Sequence, residues 1–239
     1  MKKLLLLAIL FGGLQSFKIW ETIKGNGIAK TEQRDASGYT SISSGGPISV
    51  DIDYGSSNSI DVEGDENILP YIETKVKDGR LTIKVKDMVT IKPTMNIKVH
   101  ISMKTINKIS QSGSGNINGN GSFTNDGQTV FNISGSGNIK LGFAKFNEAD
   151  ISMSGSGSME LRGNIVENLH ISQSGSGRIN CTEAPCENVE ARLSGSGNLK
   201  VNATKKITAQ ISGSGRIYYT GDATQVDTKI SGSGKIEKI

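Results

Sequence analysis

The tetrapeptide Ser-Gly-Ser-Gly occurs seven times, beginning at Ser112, Ser134, Ser154, Ser174, Ser194, Ser212 and Ser231, at intervals of 22, 20, 20, 20, 18 and 19 residues. A fixed unit at near-constant spacing restricts the chain to an architecture in which each repeat is one supersecondary element stacked on the next. The flanking residues decide which element. In the fifth repeat Val189, Ala191, Leu193, Gly195, Gly197, Leu199 and Val201 alternate with Glu190, Arg192, Ser194, Ser196, Asn198 and Lys200. Period two is the signature of a strand with one buried face. Across the seven repeats, 18 of the 21 positions that lie three and one before the motif and five after its first Ser are apolar, the exceptions being Gln111, Gln173 and Thr228. A flexible Gly/Ser linker has no such schedule.

The expected fold is therefore all-β: a right-handed parallel β-helix or β-solenoid of seven coils with SGSG corners, spanning residues 111–239. The alternation places both glycines of each corner inward and both serines outward, at a bend too tight for a side chain. Coils stacked at about 4.8 Å make a rod of roughly 34 Å. Only 5% of residues are aromatic, so its core is thin and aliphatic.

The preceding residues 39–110 form a second β-region. Ile48–Tyr54 alternates, as do the runs around Ile60, Ile72–Val76, Leu81–Val85 and Met95–Met103. Asp78-Gly79 between two of these runs predicts a hairpin. This half is expected to cap the first coil, the two parts making one continuous domain after a lead-in of residues 17–38. At the far end Lys235, Glu237 and Lys238 put charge on the last coil, which discourages end-to-end stacking.

Met1-Lys2-Lys3 followed by the apolar run Leu4–Phe11 reads as a signal peptide ending near residue 16, within 12–20. Export to the periplasm, the outer-membrane surface or the medium is expected, with no membrane span in the mature chain. The formal charge is +4, and loss of Lys2 and Lys3 leaves 25 basic against 23 acidic residues, or +2. That balance gives no footprint for nucleic acid. Cys181 and Cys186 are the only cysteines. A turn at Ala184-Pro185 could bring them within disulfide reach, and a bridge and two free thiols both remain open. One pair of cysteines does not make a zinc site.

Gly25-Asn26-Gly27, the Tyr39-x-x-Ile42 approach to Ile48–Tyr54, Val76-x-Asp78-Gly79-x-Leu81-x-Ile83, and the SGSG-Asn-Ile units at Ser112–Ile117 and Ser134–Ile139 stand in an order that resembles the family named putative auto-transporter adhesin, head GIN domain. The resemblance covers residues 25–239 and implies an exported β-helix-like protein of Bacteroidetes-type bacteria with an adhesin role. It brings no catalytic residues. No run of amphipathic ten-residue strands follows the repeats, so no autotransporter barrel is expected within this sequence.

Candidate chemistry is sparse. The Gly-x-Gly pairs never complete a dinucleotide fingerprint, no Gly-x-Ser-x-Gly elbow occurs, and no Asp recurs after the glycines as calcium-binding repeats require. No cofactor is expected. Asp150, His170 and Glu190 fall four residues before consecutive motifs, which predicts a carboxylate–imidazole–carboxylate stack about 4.8 Å apart. An exposed charge ladder is the structural reading of that stack; a polysaccharide hydrolase or lyase is the catalytic one. A polar stripe follows each motif: Asn116, Asn138, Ser158, Arg178, Asn198, Arg216 and Lys235, increasingly basic toward the C-terminus. Such a ladder suits a glycan or an anionic surface polymer. The expected function is a non-enzymatic structural or adhesion module at the cell envelope.

Overall fold

The computed structural model describes residues 21–56 and 59–239, and of residues 164–166 the backbone alone. The expected signal peptide lies outside the described residues. The strands of the N-terminal half are β1 (Glu21–Lys24), β2 (Ala29–Asp35), β3 (Ser41–Gly46), β4 (Ile48–Tyr54), β5 (Ser59–Asp65), β6 (Ile72–Lys77), β7 (Arg80–Val85), β8 (Val89–Lys92) and β9 (Ile97–Met103). The repeats supply β10 (Lys108–Gly113), β11 (Asn116–Asn120), β12 (Phe123–Gly135), β13 (Asn138–Gly155), β14 (Ser158–Gly175), β15 (Arg178–Gly195), β16 (Asn198–Gly213), β17 (Arg216–Thr220), β18 (Gln225–Ser231) and β19 (Lys235–Lys238). There is no α-helix among the described residues, only one 3-10 turn at Leu69–Tyr71.

The chain is the expected solenoid. β13, β14 and β15 are each 18 residues long and run from one SGSG corner to the next. They pair in parallel with the coil before and the coil after, motif on motif. The seven corners bound about six turns rather than seven separate coils. Inward positions such as Ile151, Leu169, Val189, Leu199 and Ile207 are buried, which forms the aliphatic core.

The corner works differently from a simple inward pair of glycines. The second glycine of each motif from Gly115 to Gly215 is buried, but the first is half-exposed. The first takes φ near +110° to +130°, for example +111° at Gly195, where side chains are strained. A Cβ built on Gly195 would stand 2.7 Å from the carbonyl oxygen of Gly175, one coil below. Glycine is needed because backbone meets backbone along the stack. The contact is a hydrogen-bonded one: the carbonyl of Gly113 accepts from the amides of Ser136 (3.0 Å) and Gly137 (2.9 Å), and the pattern repeats from Gly135 to Ser156 and Gly157.

The N-terminal half caps the solenoid by extending it. β3 and β4 lie on β10 and β11 in parallel register, with Ile42 beside Ile109, Gly46 beside Gly113 and Val50 beside Ile117. β7 and β9 continue the two ladders beneath β3 and β4. Antiparallel strands close that end: β6 on β7, then β5 on β9 and β2 on β5. The β6–β7 hairpin turns at Asp78 (φ 50°) and Gly79 (φ 70°), as the Asp-Gly pair predicts. One carboxylate pins the lead-in. Asp65, fully buried, accepts hydrogen bonds from the Gly27 amide (2.8 Å), the Thr94 amide (2.9 Å) and the Thr94 hydroxyl (2.5 Å). A Cβ at Gly25 would fall 2.5 Å from the Asp65 carboxyl carbon, which accounts for the Gly25-Asn26-Gly27 signature.

The core is not aliphatic throughout. Phe123, Phe131, Phe143 and Phe146 are buried together in the first two repeats, with Phe143 and Phe146 centroids 4.6 Å apart. Register shifts near Phe123, Asn125 and Phe146 accompany them.

Candidate binding surfaces

The post-motif stripe forms one uninterrupted column. Strand register sets Asn116 beside Asn138, Asn138 beside Ser158, Ser158 beside Arg178, Arg178 beside Asn198, Asn198 beside Arg216, and Arg216 beside Lys235. At its N-terminal end the members bond to one another, Asn138 Nδ2 donating to Asn116 Oδ1 (2.8 Å) and Ser158 Oγ to Asn138 Oδ1 (2.5 Å). Arg178, Arg216 and Lys235 are exposed at the other end. Neighbouring side chains at coil spacing thus form a polar surface that no single coil provides.

The second expected cluster is also in register. Asp150 sits beside His170 and His170 beside Glu190. His170 Nδ1 is 3.2 Å from Glu190 Oε2, while Asp150 accepts from Gln128 Nε2 (2.5 Å) and Glu190 also pairs with Arg192. The stack is half-exposed, at 52% for the His170 side chain, over a shallow depression of about 200 Å³. Catalytic carboxylates act where water is restricted and partners are positioned; here ladder neighbours engage Asp150 and Glu190 at the surface.

Cys181 and Cys186 stand as buried free thiols. Burial pushes Cys181 up to about 12 and Cys186 up to about 11, so neither is a nucleophile at neutral pH. Cys186 donates instead to the carbonyls of Glu167 (3.2 Å) and Asn188 (3.3 Å).

One feature lay outside the sequence expectations. Beside the phenylalanine cluster a basin of about 720 Å³ opens on the face that follows the corners. Four glycines, Gly119, Gly121, Gly142 and Gly163, line it together with Asp51, Asn118, Asn120, Lys140 and Arg162. Asn118 Nδ2 donates to Asp51 Oδ1 (3.1 Å) and Asn120 Nδ2 to Asp53 Oδ1 (3.3 Å). Lys140 Nζ lies 3.2 Å from Glu160 Oε2, and Arg162 pairs with Glu160 and with Glu183 (3.4 Å). Burial raises the Glu160 carboxyl, but Arg162 and Lys140 outweigh it and hold the group below the usual range. The available signal was the 22-residue first interval together with glycines that fall outside the SGSG positions.

The model of the family described as putative auto-transporter adhesin, head GIN domain, matches residues 38–223. Among solved structures, a putative adhesin from Bacteroides fragilis superposes with a TM-score of 0.79 at 24% identity, over 91% of this chain and 100% of its own. A putative adhesin from Parabacteroides merdae gives 0.68 at 24% identity, over 92% and 99%. A protein from Parabacteroides distasonis described as putatively lipid binding gives 0.70 at 25% identity, over 92% and 100%. No curated protein matches the chain at a significant level.

Proposed function

The chain belongs to the putative auto-transporter adhesin, head GIN domain family, and from that membership we propose that it is an exported, non-enzymatic adhesion module of the cell envelope that binds along its post-motif column. The observation that carries this reading is the register of Asn116, Asn138, Ser158, Arg178, Asn198, Arg216 and Lys235 on consecutive coils. Exposed polar groups repeated at about 4.8 Å suit a polymer rather than a small molecule, and the three cations near the C-terminal end favour an anionic one. Each contact is weak, and affinity comes from their number. The adhesin descriptions of the structural relatives from Bacteroides fragilis and Parabacteroides merdae point the same way. The lipid-binding description of the Parabacteroides distasonis relative adds anionic lipid to the partners worth testing.

The test is retention on an immobilised anionic polysaccharide and on anionic lipid vesicles across a salt series. Arg178→Ala with Arg216→Ala should weaken retention most at low salt, because exposed charges are screened within about 8 Å at physiological ionic strength. Equal retention at every salt concentration removes the column as the binding face. A catalytic reading is supported by the Asp150–His170–Glu190 stack alone; polysaccharide turnover abolished by Glu190→Gln would establish it in place of the binding role.

A further inference from the structure

We propose that the glycine-lined basin is a binding site for a neutral oligosaccharide, distinct from the basic column. The proposal rests on the adhesion reading and names a ligand class for it. Its volume, about 720 Å³, falls in the range of about 300–1,000 Å³ that encloses small ligands. Four of its lining residues are glycines, and the buried Leu141 and Phe143 line it as well.

The chemistry of the rim selects the ligand. Its charged groups are paired within the rim or with immediate neighbours: Asp51 by Asn118, Lys140 and Arg162 by Glu160. The two rim cations, Lys140 and Arg162, are thus balanced by Asp51 and the adjoining Glu160, which leaves no excess charge to draw an anion. What it offers is adjacent donors and acceptors, with amide donors of Asn118 and Asn120 next to carboxylate acceptors of Asp51 and Asp53. A hydroxyl both donates and accepts, so a row of sugar hydroxyls matches such pairs where a phosphate or carboxylate, acceptor-only when ionised, does not.

The experiment is a titration of the purified protein with neutral hexasaccharides of glucose, mannose and N-acetylglucosamine, followed by saturation-transfer NMR and calorimetry. Two variants address the basin: Asn118→Ala, which removes an amide donor of its rim, and Ser122→Trp, which fills it from an exposed lining position. Circular dichroism establishes that each is folded. At least one hexasaccharide should bind the wild type, each variant should weaken it tenfold or more, and the Arg178→Ala/Arg216→Ala protein should bind as wild type. Failure of every hexasaccharide to bind, or unchanged binding by Ser122→Trp, overturns the site, as does loss confined to the double arginine variant. Adhesion of protein-coated beads to envelope polysaccharide separates the two readings. Beads that adhere equally with Ser122→Trp refute the basin and leave the adhesion role standing. Wild-type beads that adhere to nothing refute both.

Discussion

Two stretches of this chain fill the same corner with different sequences. In the repeats the corner is Ser-Gly-Ser-Gly; in the coil made by β3 and β4 it is Gly45-Gly46-Pro47-Ile48, with Gly45 beside Ser112 and Gly46 beside Gly113. Only the first glycine slot is retained, and it keeps a positive φ, 82° at Gly46. The slot of the second glycine holds Ile48, fully buried. The neighbour beneath explains the difference. In the repeats another repeat corner lies directly below, so a Cβ at Gly137, in the second slot, would sit 2.3 Å from the Gly115 carbonyl oxygen. Beneath Ile48 there is the ordinary strand β9, with Ile97 in register. The tetrapeptide is thus a stacking device, and the chain relaxes it where the stack begins.

That comparison is broken most sharply by filling a first glycine slot. Gly195→Val should cost more than about 3 kcal/mol, since it combines a strained backbone with a backbone clash, and should lower Tm by more than about 6 °C. Ser194→Thr, on the outward face of the same corner, should stay within about 0.5 kcal/mol. Gly46→Ala should fall between, at about 1–2 kcal/mol, because its Cβ would meet only a Val85 methyl at 3.6 Å and bears the φ strain alone. Thermal melts of the three variants decide it. Equal losses at Gly195 and Gly46 would mean that conformation, and not stacking, demands the glycine.

Much of this was legible beforehand. Alternation through Val189–Val201 specified strands, the near-constant interval specified stacked coils, and Asp78-Gly79 specified a hairpin. The orientation of the glycines was not, because positive φ resets the pleat at each corner and parity counting assumes an unbroken one. The placement of β3 and β4 between β7/β9 and β10/β11 was also hidden. It pairs residues about 67 positions apart, such as Ser41 with Lys108, and no local pattern encodes that. The stripe and the Asp150–His170–Glu190 stack were readable because consecutive coils fix register; the basin left only an indirect signal, the long first interval and the extra glycines, because it arises where register slips.

A second, smaller effect sharpens the contrast at the capped end, where polar pinning replaces repetition. Burial raises the Asp65 carboxyl, but hydrogen bonds from Thr94, Gly27 and Met95 outweigh it and the group titrates below its usual value. A carboxyl depressed in the folded state contributes stability above its unfolded pKa, about 4, and loses it as pH falls through the folded value. Melting temperature should therefore drop as the solution is acidified below about pH 4. Asp65→Asn should cost about 1–3 kcal/mol at neutral pH by turning an acceptor toward the ring of donors into a competing donor. It should also flatten the acid limb of the curve. An acid limb unchanged in Asp65→Asn would assign the sensitivity to other carboxylates.

The smallest expected effect concerns the two inward glutamines, which break the apolar schedule of the repeats. Gln111 Nε2 donates to the Gly115 carbonyl (2.6 Å) and Gln173 Nε2 to the Gly177 carbonyl (2.5 Å), each closing its own corner from the inside. In other coils the same slot holds Ile133, Met153, Leu193 or Ile211, so the bond is not required to form the corner. The Gly177 carbonyl also accepts from the Asn198 amide of the next coil at 3.1 Å, so it keeps a partner if the side chain is lost. Meanwhile Oε1 of both glutamines is buried without a hydrogen-bond partner. An unpaired buried acceptor costs about 1–3 kcal/mol, comparable to what one neutral hydrogen bond returns. Gln173→Leu, of similar volume and matching Leu193 in the coil above, removes both terms together. Its ΔG of unfolding should differ from wild type by less than about 1 kcal/mol, in the stabilising direction. Gln173→Ala instead opens a cavity beside Met153 and Leu193 and should destabilise by about 2 kcal/mol or more. Denaturant melts that rank Leu below Ala would show that the amide, not the volume, holds this corner.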